Sequence, residues 1–230
     1  MDEFVSTVLD LHPRMAAFDC DGTLWSGDAG ETFFEWELAR NGFIPEKVSR
    51  AIRDRYRDYK AGKVDETTMC GEMVTMHAGI ADSAMRRAAE EFFPQIARNI
   101  FPEMRELVNR LRNAGCDVWA VSSSNQWVIE AGMEEFGIPP DRILAAEVEI
   151  VEGVVTDRLL RVPSGAGKPQ ALREVAKKEV DAAFGNSRWD TEMLAMARHP
   201  FAVNPNPDLR QVAQQQGWKI YVPNGMQPKE

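Results

Sequence analysis

The chain has 230 residues, 44% hydrophobic and 27% charged, a globular composition long enough for one large core or a core with a small second domain. A net charge of −9, from 36 acidic and 27 basic residues, argues against a nucleic-acid partner, because affinity for a phosphate backbone comes from clustered Lys and Arg. It leaves a single phosphate ester open as a ligand, since a metal ion and one or two local cations can hold one phosphate.

No run approaches the roughly 18 apolar residues of a membrane span. The start Met1-Asp2-Glu3-Phe4 is acidic and lacks the basic opening and apolar stretch of a signal peptide. No membrane partner and a cytoplasmic location are therefore expected. Cys20, Cys70 and Cys116 are an odd, scattered set without metal spacing, and read as buried free thiols.

Residues 3–12 carry Phe4, Val5, Val8 and Leu9 at helical spacing before Pro13, which predicts a short packing helix. Met15-Ala16-Ala17-Phe18 is a short apolar run that stops at Asp19, the pattern of a buried central strand with acids at its tip. From about 28 to 99 the pattern is helical. Val48, Ile52, Tyr56 and Tyr59 form one apolar stripe, with Arg50, Arg53 and Arg57 on a solvated face; Met69, Met73, Met76 and Ile80 form another, opened by the N-cap candidate Asp65. A third helix is expected over 83–93.

After Pro102 helix and strand alternate. A helix through Met104, Leu107, Val108 and Leu111 ends near Gly115, a strand covers 117–121, and Val128, Ile129, Met133 and Phe136 mark the next helix. A strand over 142–147 leads to alternation around Glu152-Gly153, a hairpin signal. A helix after Lys168-Pro169, a strand at 181–184, a helix through Met193 and Leu194, a strand at 201–203, a helix to Gly217 and a strand at 219–222 complete the chain. Strands separated by helices imply parallel pairing and right-handed crossovers. The fold class is α/β: a Rossmann-like parallel sheet with helices on both faces and an inserted all-helical cap. The core takes 1–25 and 100–230, and the cap takes 26–99.

Ligands of open parallel sheets bind beyond the carboxyl ends of the strands. The first strand end carries Asp19 and Asp21; the second carries Ser122, Ser123, Ser124 and Asn125; Lys168 opens the helix after the third strand and hairpin; the fourth carries Asn186, Ser187 and Asp190. Phosphate monoesters are among the slowest esters to hydrolyse, requiring accelerations up to about 10²¹-fold. A carboxylate nucleophile splits that task through an aspartyl-phosphate. Asp19 is the candidate nucleophile. Asp21, two residues on, is the candidate acid that protonates the leaving oxygen and then deprotonates water, a role favoured by a raised pKa. Mg²⁺ would keep Asp19 ionised and neutralise phosphate oxygens. Ser122, Ser123 and Lys168 are the candidate phosphate-binding groups. Each element alone is common turn or loop chemistry; their order at four successive strand ends is not.

The chain resembles the haloacid dehalogenase superfamily, in the subgroup similar to phosphoserine phosphatase. Phe18-Asp19-Cys20-Asp21-Gly22-Thr23-Leu24 resembles its first motif, Val121-Ser122 the second, Gly165-Ala166-Gly167-Lys168 the third, and the run from Phe184-Gly185-Asn186 to Asp190-Thr191-Glu192-Met193-Leu194 the fourth. The resemblance covers nearly the whole chain, including a helical cap between the first two motifs. It implies Asp19 as nucleophile, Asp21 as general acid/base, and a metal held by Asp19, the Asp21 backbone carbonyl and Asn186, with Asp190 close by. The fourth motif usually begins Gly-Asp, so Asn186 removes one negative charge and implies weaker metal binding. Gly71 and Met73 stand at the ungapped positions of the cap arginine that holds a phosphoserine carboxylate; Arg86 or Arg87 could substitute, though their spacing reads as a polar helix face.

Trp25, Asp28 and Glu31 are the candidate specificity residues, since an aromatic face beside carboxylates suits an amine or quaternary ammonium. The alternative reading has Trp25 packing the cap hinge and Glu31 supporting a helix N-terminus. The expected activity is hydrolysis of a small phosphorylated amino acid or amino-alcohol by a monomer or homodimer. A phosphotransferase such as a mutase, or a non-catalytic phosphate binder, is the alternative.

Overall fold

The computed structural model describes residues 2–40, 42–224 and 226. Helix α1 (Glu3–Leu9) leads to β1 (Met15–Phe18). The helices α2 (Ala29–Ala39), α3 (Glu46–Lys60), α4 (Glu66–Thr75), α5 (Asp82–Phe92) and α6 (Pro94–Ala97) follow without an intervening strand. Then come α7 (Pro102–Asn113), β2 (Asp117–Asn125), α8 (Gln126–Glu134), β3 (Ile143–Val151), β4 (Val154–Arg161), α9 (Gly167–Val175), β5 (Ala182–Gly185), α10 (Thr191–Met196), β6 (His199–Val203), α11 (Pro207–Gln216) and β7 (Lys219–Tyr221). No described helix is long and apolar enough to cross a membrane.

The seven strands form one sheet in the order β4-β3-β2-β1-β5-β6-β7, parallel except for the β3–β4 hairpin. The chain builds outward from β1 to β4 on one side, then returns to β5 on the other. β1 is therefore central, and the reversal of strand order opens a crevice at its carboxyl end. The alternation within β1 explains its two-sided burial: Ala16 and Phe18 enter the hydrophobic cluster with α1, α7 and α8, while Met15 and Ala17 enter the one with α9, α10 and α11. Phe18, Phe184 and Phe201 occupy aligned positions of β1, β5 and β6 and stack, with centroid separations of 4.1 and 4.9 Å.

β2 runs past its expected end. Pairing with β1 stops at Ala120, but the chain stays extended through Ser122–Ser124 and rejoins β3 at Asn125↔Ala146 after a register shift. The serines thus lie on a one-sided strand extension that faces the crevice, and not on a loop.

The helical insert is tied to the sheet. Its two crossings pair with each other, Ser26 N–H to the Asn99 carbonyl and Phe101 N–H to the Leu24 carbonyl, both at 3.0 Å. Residues 79–82 add to the β3–β4 hairpin through Gly79 N–H to Val155 (2.8 Å), Val155 N–H to Ile80 (2.9 Å) and Asp82 N–H to Gly153 (2.9 Å). Met85, Ala89, Phe92 and Phe93 belong to the same hydrophobic cluster as Trp127 and Met133 of α8. Phe34, Ile44, Ile52, Met69 and Met76 form a separate small cluster beneath α3 and α4.

Replacing the middle ring of the ladder, Phe184→Ala, is expected to cost about 3–5 kcal/mol, as for other buried Phe truncations. Urea unfolding at unchanged m-value measures this; a loss under about 1 kcal/mol would show that the ladder carries little of the core.

Candidate active site

Asp19 continues β1 by one hydrogen bond, its N–H donating to the Phe184 carbonyl at 2.9 Å. The chain then turns sharply, with Thr23 and Leu24 N–H groups both donating to Cys20 O at 3.1 and 2.8 Å. Gly22 makes the turn possible: its φ is +77°, and a Cβ there would lie 1.8 Å from Asn186 Nδ2.

The Asp19 carboxylate is pinned from both sides. Oδ1 accepts from Lys168 Nζ at 2.7 Å and Oδ2 from the Thr23 hydroxyl at 2.7 Å. Lys168, 2% exposed, spends its other two N–H bonds on Asp190 Oδ1 (2.6 Å) and the Val121 carbonyl (3.0 Å). Asp190 Oδ2 accepts from the Asn186 N–H (3.0 Å), the Ser187 N–H (2.9 Å) and the Ser187 hydroxyl (3.2 Å). Both Asp190 oxygens are thus taken up by Lys168 and its own loop; of the four expected metal-site residues, it is the one that does not line the cavity at the strand ends. Burial, then the Asp190 carboxylate, push Asp19 up to about 7, against the downward pull of Lys168.

Asp21 is held by three donors: the Trp25 indole N–H (2.8 Å) and Ala29 N–H (2.6 Å) on Oδ1, and the Ser124 hydroxyl (2.6 Å) on Oδ2. Ser124 can approach because its partner helix carries Gly30, where a Cβ would lie 2.3 Å from Ser124 Oγ. Burial first, and the Asp28 carboxylate second, push Asp21 up to about 7. Asp21 is therefore a group that can carry or release a proton near neutral pH.

Asp19, Asp21, Ser122, Ser123, Lys168 and Asn186 all line one cavity of about 380 Å³ between the strand ends and the insert. Ser122 Oγ accepts the Ser124 N–H at 3.1 Å, which anchors the serine extension. The Asn186 side chain is 8% exposed and among the described residues has no hydrogen-bond partner, so its carboxamide oxygen is free to turn to a cation. An Asp19 carboxylate, a backbone carbonyl and an amide oxygen are the hard oxygen donors Mg²⁺ takes, with water or phosphate completing the shell, and the residues fit that ion. Among the described residues no group of three His, Cys, Asp or Glu side chains clusters as a metal cage.

The three specificity candidates separate. Trp25 is fully buried, does not line the cavity, and packs on Phe93 and Phe136 at 5.5 and 6.3 Å. Its expected role as an aromatic face for substrate is corrected: with both hinge crossings wrapped around it, the ring supports Asp21 through its N–H. Asp28 lines the cavity and caps α2, accepting the Glu31 N–H at 2.7 Å; though open to the cavity, it is walled by protein, and burial raises its pKa. Glu31 pairs with Lys60 at 2.9 Å, and against partial burial the Tyr56 hydroxyl and Lys60 hold its pKa down.

The insert also brings residues that the sequence pattern did not single out for the site. Tyr56, Tyr59 and Lys60 of α3 and Glu66 and Cys70 of α4 line the cavity roof. Tyr56 and Tyr59 read as an apolar stripe, and Glu66, next to the N-cap candidate Asp65, carries no site signal in the sequence, so only their approach to the strand ends reveals them. Thr23 lay inside the first motif, and its fixed spacing of four residues from Asp19 was the available signal. The cysteines are free thiols, two of them buried and Cys70 half-buried.

A buried aspartate at a central strand tip, with a lysine, a serine strand and helices of the insert around one cavity, is the setting of an α/β hydrolase of phosphate esters. The chain belongs to the haloacid dehalogenase-like hydrolase family, whose model matches residues 16–195. A histidinol-phosphatase of Neisseria meningitidis is 26% identical to it over 90% of this chain and 97% of its own. Phosphoserine phosphatase SerB1 of Mycobacterium tuberculosis is 26% identical over 89% of this chain and 69% of its own. A solved structure of a protein of unknown function from Bordetella pertussis Tohama I has the same fold, with a TM-score of 0.77 at 23% identity, covering 90% of this chain and 97% of that one.

Asp21 generates a test by pH. Its pKa is about 7 in the fold against an ordinary 3.8, so the folded state holds the proton more tightly, and stability is lost as pH rises between those values. Asp21→Asn keeps the acceptor for Trp25 and Ala29 and donates to Ser124 instead. Relative to wild type it should gain at least about 1 kcal/mol at pH 8, one pKa unit's worth, and nothing at pH 4. Thermal unfolding across that range checks it; an equal effect at both pH values would reject the raised pKa.

Proposed function

We propose that the enzyme is a magnesium-dependent phosphatase that hydrolyses a small phosphorylated amino acid or amino-alcohol through an aspartyl-phosphate on Asp19. The observation that carries this reading is the Asp19 carboxylate, fixed on the cavity floor by Lys168 and Thr23, with a near-neutral Asp21 two residues away. Two relatives named as phosphatases support it. The cavity roof supports the amine: Asp28 and the tyrosines offer carboxylate and aromatic faces, and no arginine lines the cavity among the described residues.

In the first step an Asp19 oxygen bonds to phosphorus, the ester P–O bond breaks, and the Asp21 proton passes to the departing alkoxide. In the second, Asp21, now a carboxylate, takes a proton from the water that attacks phosphorus; the bond to Asp19 breaks and inorganic phosphate leaves. Ser122 and Ser123 orient the phosphoryl group, and the charge of Lys168, held on the cavity floor by Asp19, Val121 and Asp190, offsets the charge on its oxygens. Asp190 acts as a positioning residue that shares the Lys168 ammonium with Asp19. The Asp19 carboxylate, the Asp21 backbone carbonyl and the Asn186 amide oxygen would hold Mg²⁺, which when bound neutralises phosphate oxygens and keeps Asp19 ionised.

With an aryl phosphate as substrate, Asp19→Asn should lose at least about 10³-fold in kcat, and EDTA should abolish wild-type turnover. Turnover that survives either treatment would sink the mechanism. Asn186→Asp restores a charge beside the ion and should lower the half-saturating Mg²⁺ concentration roughly tenfold; an unchanged magnesium titration removes Asn186 from the ligand set.

A further inference from the structure

The cavity roof has an unbalanced charge. Lys60 is committed to Glu31 at 2.9 Å and lies 5.1 Å over the Tyr56 ring. Lys168 has all three N–H bonds filled. Besides Asp21, the lining then retains two carboxylates without a salt-bridge partner, Asp28 and Glu66. Asp28 is engaged as the N-cap of α2. Glu66, at the start of α4, reaches from the insert to the core, its Oε1 accepting from Ser164 Oγ at 2.9 Å and Ser123 Oγ at 3.4 Å. Ser123 adjoins Ser122, so Glu66 stands beside the phosphate-binding groups. A carboxylate there repels a phosphate dianion unless a positive charge lies between them. Burial raises the Glu66 pKa despite the Ser164 hydroxyl and Lys168, which fits a carboxylate short of a cation. The described residues do not provide a third acid to build a metal cage there.

We propose that Glu66 is a specificity-determining residue, pairing with a cationic group on the leaving alcohol close to the ester oxygen and rejecting leaving groups that carry a carboxylate. The inference rests on the phosphatase reading and narrows it to amino-alcohol phosphates. Histidinol phosphate, implied by the name of the Neisseria relative, is of that chemical class. A phospho-amino acid would set its carboxylate against Asp28 and Glu66 with no arginine in the lining to receive it.

The test compares kcat/KM for 2-aminoethyl phosphate, propyl phosphate and phosphoserine. Wild type should favour the aminoethyl ester over both others by about tenfold or more. Glu66→Gln, which preserves the acceptor for Ser164 and Ser123, should cut the aminoethyl-to-propyl ratio about 10-fold to 100-fold. Glu66→Lys should turn the preference toward phosphoserine. Ser164→Ala, which releases the clasp but keeps the carboxylate, should leave the ratio within about twofold. If Glu66→Gln leaves the ratio alone, or Ser164→Ala moves it as far, Glu66 is only a strut between insert and core and the inference fails. Hydrolysis of all three esters without preference overturns this inference alone; hydrolysis of none overturns the phosphatase reading with it.

Discussion

One buried ammonium organises the site. Lys168 enters from the first turn of α9 and binds Asp19 at the tip of β1, the Val121 carbonyl on β2 and Asp190 after β5. Three strand ends that are distant in sequence thus converge on one atom. Two carboxylates share a single cation, so the cluster keeps a net negative charge in a low-dielectric setting. An isolated buried charge would cost several kcal/mol, and the full set of hydrogen bonds to each partner makes this one tolerable. The surplus charge is also functional in the proposed chemistry, since it raises the affinity of the floor for a divalent cation while Asn186 lowers it by one unit.

The insert is a cap only in part. Its α5 and α6 side shares the main hydrophobic cluster with α8 and is strapped to the β3–β4 hairpin by backbone hydrogen bonds. Its α3 rests on a small separate cluster, whereas α4 also packs on β2, β3 and β4 and puts Val74 into the main cluster. Movement that admits a substrate is therefore cheapest at α3, which carries Tyr56, Tyr59 and Lys60. Glu66, proposed to read the leaving group, sits on the helix of the insert that packs on the sheet, and the residues proposed to break the ester sit at the strand ends.

Much was legible in the chain because the signals were local. Met15-Ala16-Ala17-Phe18 followed by Asp19 announces a buried strand with an acidic tip, since a four-residue apolar run can only be buried on both faces. Glu152-Gly153 announces a two-residue hairpin, found between Val151 and Val154. The order of Asp19, Ser122, Lys168 and Asn186 along the chain carries the site, because parallel strands bring every carboxyl end to one edge. Trp25 was ambiguous for the opposite reason: an aromatic next to a motif can face substrate or core, and only the pairing of the two hinge crossings around it decides.

The sequence by itself determined the α/β class, the helical insert and the four groups that meet in the cavity, each of which is encoded by periodicity or by a short motif. Only the tertiary structure decided how those groups are shared: that Asp190 serves Lys168, that Trp25 and Ser124 hold Asp21, and that Glu66 reaches Ser164 across 98 residues. The reason is physical. A side chain's partner depends on distances closed by packing between elements, and helical or strand spacing says which face a residue occupies without saying what stands opposite.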